Sequence, residues 1–206
     1  MEPRRDSEVI IDIQPKEPAR LLFAITVLIA TASLTAGQTT GIDAALLAQA
    51  AAGDAVAAVR VGESYAAGQG VTRDLKQAAI WFQKVAEQGD VSGELHLAAL
   101  YRDGGKGFPR DMAQAAAWYR KAAEQGDAGA QGTLGTLYSM GQGVPQNYVE
   151  AYYWLDLAAA VKGPNQERFA ANRQMVGAHI TADELEAVQE RVAAWKAAHS
   201  RQNAMP

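Results

Sequence analysis

Between Gly53 and Gly163 apolar and polar positions alternate with the period of amphipathic helices, interrupted at regular intervals by glycine. Leu75, Ala78, Ala79, Phe82, Val85 and Ala86 fall on one helical face, and Met112, Ala115, Ala116, Tyr119, Ala122 and Ala123 repeat that spacing 37 residues later. Upstream of each face lies a segment that starts at an Asp after glycine and runs through Tyr65, Tyr101 or Tyr138 into a glycine-rich loop. The Asp predicts an N-cap, and the loop glycines predict the turn. The second helix of each pair is predicted to start at Asp74, Asp111 or Asn147, followed three residues later by Gln77, Gln114 or Glu150. That spacing is an Asx relative of the capping box, in which two orphan N–H groups are satisfied at each start.

The pattern is an internal repeat. Gly53-Asp54, Gly89-Asp90 and Gly126-Asp127 are separated by 36 and 37 residues, and Trp81, Trp118 and Trp154 keep the same register. So do the loops Gly68-Gln69-Gly70-Val71, Gly104-Gly105-Lys106-Gly107-Phe108 and Gly141-Gln142-Gly143-Val144, the middle one longer by one residue. Three helix-pair units result, 54–89, 90–126 and 127–163. No single pair can bury its apolar face, so the units must stack into a solenoid with a continuous core in which small Ala positions let helices approach and Trp and Tyr rings fill the gaps. Residues 37–53 read as a linker and N-terminal capping helix, and 164–200 as C-terminal capping helices. There Thr181 to Glu184 forms a capping box and Trp195 closes the core, leaving 201–206 as a tail.

Composition agrees with an all-α chain: 43 of 206 residues are Ala and aromatics reach only 7%. A net charge of -4 and a pI near 5.4 remove the electrostatic footprint of a nucleic-acid binder. Without cysteine, and with only His96, His179 and His199 as scattered histidines, disulfide frameworks, thiolate zinc sites and a cysteine nucleophile are excluded. Neither Ser-x-x-Lys nor Gly-x-Ser-x-Gly occurs, so no catalytic residue, metal ligand or cofactor site is assigned.

Residues 1–20 are polar and mixed in charge, and no charge follows between Leu21 and Ile42. The apolar stretch Leu21 to Ala30, with Ala30-Thr31-Ala32 or Leu34-Thr35-Ala36 as cleavage sites, reads as the core of an export signal. The long acidic leader leaves an uncleaved anchor at 21–36 open, and a buried core helix is a third reading.

The combination of Val61-Gly62, Leu97-Ala98 or Leu134-Gly135, then Tyr, a Gly-x-Gly-Val loop, an Asp or Asn cap, Ala-x-x-Trp-Tyr/Phe and Ala-Glu-Gln-Gly-Asp resembles the Sel1-like repeat, a relative of the tetratricopeptide repeat. The resemblance covers 54–163, about half of the chain. It departs from the pattern at Val85, at Ala98, in the longer middle loop and in the degenerate end of the third unit, Ala158 to Gly163. The resemblance implies an all-α, right-handed α-solenoid of antiparallel helix pairs and a protein-interaction scaffold of bacterial envelopes whose repeat-defining residues are structural. The glycine loops are then turns, and Gly105-Lys106-Gly107 lacks the Ser or Thr that a phosphate-binding loop needs. Related solenoids bind a partner on the concave face formed by their first helices, which makes Arg60, Glu63, His96, Thr133 and Thr136 the groove candidates, against the alternative of a solvated face.

The expectation is a non-catalytic adaptor for a protein or peptide, with no nucleic-acid partner and no cofactor. It is periplasmic or exported, or alternatively anchored in the inner membrane by residues 21–36 with the repeats in the periplasm. Two other readings stay open. One is an envelope hydrolase of the type linked to cysteine-rich Sel1-like proteins, from which this chain departs by having no cysteine; the other is a membrane-tethered regulator.

Overall fold

The computed structural model describes residues 41–202. The polar leader and the apolar run 21–36 lie outside the described residues. Among those described, nine helices follow one another: α1 (Ala44–Ala51), α2 (Ala55–Ala67), α3 (Leu75–Ala86), α4 (Val91–Asp103), α5 (Met112–Glu124), α6 (Ala128–Met140), α7 (Tyr148–Ala160), α8 (Gln166–Gly177) and α9 (Ala182–Gln202). They form a helical solenoid of antiparallel pairs. Helices adjacent in sequence pack side by side from α1 to α8, the first helices α2 and α4 touch, as do α6 and α8, and α9 folds back onto α7.

Local chemistry sets the helix starts of the repeats. Asp54, Asp90 and Asp127 cap α2, α4 and α6. Asp74 Oδ1 accepts from the backbone N–H groups of Lys76 (2.9 Å) and Gln77 (3.1 Å), and Asp111 Oδ1 likewise from Ala113 and Gln114 (both 3.0 Å). One carboxylate oxygen thus satisfies two of the orphan donors, whereas Asn147 Oδ1 takes the Glu150 N–H alone (3.0 Å). The reciprocal capping box is realised at α9. There Glu184 N–H donates to Thr181 Oγ1 (3.3 Å) and Glu184 Oε2 accepts from Thr181 N–H (2.8 Å) and its hydroxyl (3.0 Å), which holds the Glu184 carboxyl below its usual range.

The tyrosine register has a backbone cause. The amide of each second-helix cap donates to the tyrosine carbonyl of its own unit: Asp74 to Tyr65 (2.9 Å), Asp111 to Tyr101 (2.8 Å) and Asn147 to Tyr138 (3.0 Å). The extra residue of the middle loop is absorbed by a tight turn in which Gly105 and Phe108 exchange backbone bonds of 2.7 and 3.0 Å. At Gly143, φ of +72° is the left-handed region that glycine tolerates, and a Cβ there would fall on the Met112 carbonyl of the preceding unit.

Glycine is also spent on helix contact. A Cβ on Gly62 would lie 2.5 Å from the Phe82 ring, and one on Gly132 would overlap Phe169. Removing the Cβ lets each ring seat against a helix backbone. The core is linked from unit to unit by shared rings, with Tyr65 and Tyr101 each packing against two neighbouring clusters. The tryptophan column is uneven. Trp154 is buried, but Trp81 and Trp118 are half-buried, their outer faces covered by Lys84 Nζ (4.3 Å) and Lys121 Nζ (3.8 Å). The difference follows from the C-terminal cap, since α7 is flanked by α6, α8 and α9. A Cβ on Gly126 would lie 3.6 Å from the Trp195 ring, which stacks on His199, whose Nε2 lies 3.1 Å from the Glu124 carbonyl.

Among the described residues two polar side chains are buried, Glu94 and Gln131. Gln131 donates to the Ala123 carbonyl (3.1 Å), and Glu94 accepts from Gln125 Nε2 (2.9 Å), tying α4 to the end of α5. Burial pushes the Glu94 carboxyl above its usual range, so the folded chain favours its neutral form more than the unfolded chain does. Its contribution to stability is therefore present at low pH and is lost as pH rises through the raised value. Accordingly Glu94→Gln, which keeps an acceptor for Gln125, is expected to melt higher than the parent at pH 8, with the gap closing at pH 4, in parallel thermal melts. A second comparison isolates the turn geometry. Gly89 (φ +78°) has open space around its missing Cβ, so Gly89→Ala should cost about 1 kcal/mol for torsion alone, whereas Gly143→Ala should cost clearly more because it must also displace Met112. Equal melting midpoints for the two variants would contradict the close approach.

Candidate functional site

The first helices of units one and two converge on a cleft of about 600 Å³. Its floor is apolar, formed by Leu75, Phe82 and Leu100, and methyl groups of Ala66, Ala67 and Ala99 line its sides. The polar lining comes from Glu63, Gln69, Arg73, His96 and Asp103. Amphipathic register explains the arrangement. Phe82 turns inward from α3 against Gly62, and Glu63, one residue on, turns outward beside it.

Of the five residues expected in a groove, two meet. His96 Nε2 lies 3.1 Å from Glu63 Oε1, bridging α4 to α2, while Nδ1 lies 2.7 Å from the Ser92 carbonyl and the ring rests on Phe82 at 4.8 Å. Arg60 is exposed on α2, one turn before Glu63, and is not among the residues that line the cleft. Thr133 and Thr136 stand on α6, where each hydroxyl donates back to its own helix, to the carbonyls of Gly129 and Gly132 (both 2.8 Å). Their hydroxyls serve the helix.

Three polar lining residues were not among the groove candidates of the sequence: Gln69, Arg73 and Asp103. Arg102 grips Asp103 through two bonds of 2.7 and 2.9 Å and reaches the Tyr119 hydroxyl at 3.1 Å. These bonds hold the Asp103 carboxyl below its usual range, while burial pushes the Tyr119 phenol up. Register could have found Arg73, since it precedes the Asp74 cap as Arg110 and Gln146 precede Asp111 and Asn147. Asp103 carries no repeat signal, because Ala67 and Met140 occupy its position in the other units.

A second cleft of about 440 Å³ lies between α7, α8 and α9, lined by Tyr152, Asp156, Arg173 and Lys196 among others. Asp156 is paired there with both Arg173 and Lys196, so the charges that line it join the C-terminal cap to the last unit. Among the described residues no group of three or more His, Cys, Asp or Glu side chains could hold a metal ion, and no helix is long and apolar enough to cross a membrane.

The family model described as Sel1 repeat matches residues 55–90, 91–127 and 129–160. The chain is similar to the crystal structure of a Sel1 repeat protein from Oxalobacter formigenes, with 30% identity, a TM-score of 0.53, and coverage of 60% of this chain and 92% of that one. It is also similar to Helicobacter pylori cysteine rich protein B, at 20% identity, a TM-score of 0.46, and coverage of 59% and 91%. No curated protein matches.

The cleft walls and its floor differ in what they contribute to stability. Glu63 and His96 form a partly exposed pair, so Glu63→Gln and His96→Gln should each change the unfolding free energy by less than about 1 kcal/mol. Phe82→Ala, which empties a buried seat against Gly62, should cost roughly 3–5 kcal/mol. Denaturant titration of the three variants checks both halves.

Proposed function

The chain belongs to the Sel1 repeat family, whose members are generally protein-interaction adaptors, and from that premise we propose that it is a non-catalytic adaptor gripping a protein or peptide segment in the cleft between α2 and α4. The observation that carries the reading is the cleft itself. It combines an apolar floor with polar walls, and the Glu63–His96 pair in those walls is partly exposed rather than consumed in the core. Solenoids of this type hold an extended segment by laying it along successive first helices, which is where the cleft lies.

Its place of action is the bacterial envelope. Support comes from the uncharged, apolar run at 21–36, which acts as an export signal or, if retained, as an inner-membrane anchor with the repeats in the periplasm. The test combines compartment and contact in one experiment. A photo-crosslinking amino acid is placed at Gln69, which lines the cleft, or at Gln83, an exposed residue of α3 that does not line it. After irradiation of expressing cells and fractionation, the expected outcome is a discrete protein adduct from position 69 and none from position 83, in periplasmic or membrane fractions. An intact mass beginning near Ser33 or Gly37 marks a cleaved signal, and a full-length mass in the membrane fraction marks the anchor. Equal adducts from both positions, or a full-length cytosolic species, would overturn the reading.

A further inference from the structure

In the first and third units the residue that precedes the second-helix cap has a structural duty, which the third unit performs with a simpler side chain. In the third unit Gln146 Nε2 donates to the Ser139 carbonyl, seven residues earlier, at 2.8 Å, clamping the loop to the end of α6. In the first unit Arg73 makes the equivalent bond: its Nε donates to the Ala66 carbonyl, also seven residues earlier, at 2.9 Å. Gln Nε2 and Arg Nε stand the same number of bonds from Cα, so glutamine suffices for the clamp. At position 73 the two terminal nitrogens of the guanidinium are surplus to it.

Those nitrogens belong to a cleft-lining residue and have no counter-charge among the described residues. Arg73 takes part in none of the ion pairs among the described residues. The two carboxylates that line the same cleft are already engaged, Asp103 by two bonds from Arg102 and Glu63 by His96 at 3.1 Å. Across from Nη2 stands Gly105, where a Cβ would lie 3.9 Å away, so the absence of a side chain there leaves that edge open. With Nε anchored, the guanidinium is held in place, and fixing a donor before binding reduces the entropy lost when it pairs. Beside it lie Leu75 and Leu100 of the apolar floor.

We infer that Arg73 is the specificity element of this cleft, and that the segment bound there carries an Asp or Glu side chain, paired to the Arg73 guanidinium, next to an apolar side chain that covers the floor. This rests on the reading of the cleft as a peptide site and names the chemistry of its partner. A guanidinium presents parallel N–H donors that match the two oxygens of a carboxylate, and a single fixed cation beside apolar surface suits one acid in an otherwise apolar segment. The other units do not duplicate the feature. Gln146 brings no charge, and Arg110 already lies close enough to Asp103 to help hold its carboxyl down.

The full-length protein is panned against phage displaying random twelve-residue peptides with no free C-terminus, and enriched sequences are synthesised and titrated by fluorescence polarisation. The expected consensus holds one Asp or Glu adjacent to an apolar residue. Against it Arg73→Gln, which preserves the clamp as Gln146 does, should bind about tenfold or more weakly while its melting midpoint stays at the parent value. Changing the peptide acid to its amide should weaken binding to the parent equally and have no further effect on Arg73→Gln, a coupling that a purely structural role would not produce. Arg73→Lys, which keeps the charge but not the fork, should fall between the two, and Arg110→Gln should bind as the parent does. Enriched peptides without an acid, or equal affinity for Arg73→Gln, would overturn the assignment of Arg73 and leave the peptide-binding cleft standing. Failure of any peptide to enrich would overturn both.

Discussion

Everything in this fold depends on how closely one helix can approach the next. A pair of thirteen-residue helices such as α6 and α7 cannot bury its own apolar face, so its stability comes from the pairs on either side. Close approach is permitted by missing side-chain atoms: Gly62 beneath Phe82, Gly132 beneath Phe169, and the Ala positions that fill the second helices. Large rings then fit where a Cβ would otherwise stand. The same requirement fixes the loops, because Gly143 brings one unit's turn onto the Met112 carbonyl of the unit before it. Repetition of the sequence is the repetition of that contact.

The cleft is a by-product of this stacking. Helices α2 and α4 are held at their spacing by α3, which runs between them with Phe82 on the floor, so a concavity is left where their outward faces meet. Its chemistry is set by positions that the stacking does not constrain. At the register of Glu63 the other units carry Ala99 and Thr136, and at that of His96 they carry Arg60 and Thr133, so polar identity changes from unit to unit while the backbone does not. Polar side chains along the cleft can therefore be exchanged in this scaffold without cost to the core.

Two departures from the expected pattern show where tertiary context takes over. The tryptophans occupy one register, yet α9 joins the packing around α7, where Trp154 is buried, while lysines lie over Trp81 and Trp118. A column read as uniform core is core in one unit and a half-covered surface in two. Thr133 and Thr136 share the register of His96 and Ala99, but their hydroxyls satisfy backbone carbonyls a turn earlier. A short β-hydroxyl is as well placed to serve its own helix as a ligand, and sequence position cannot distinguish the two.

The sequence by itself determined the helical class, the number of units, the caps at Asp54, Asp74, Asp90, Asp111, Asp127, Asn147 and Thr181, and the glycine turns, because each depends on atoms within a few residues of one another. It placed Glu63 and His96 on one face because the repeat register carries over from unit to unit. The tertiary structure alone decided that these two touch, that Arg102 engages Asp103, and that Arg73 spends only its Nε on the loop. Those outcomes depend on side-chain reach across 33 residues of chain in the first case and on a single side-chain bond to the Ala66 carbonyl in the last. Periodicity assigns a side chain to a face, and only the assembled neighbours determine which of its atoms are left without a partner.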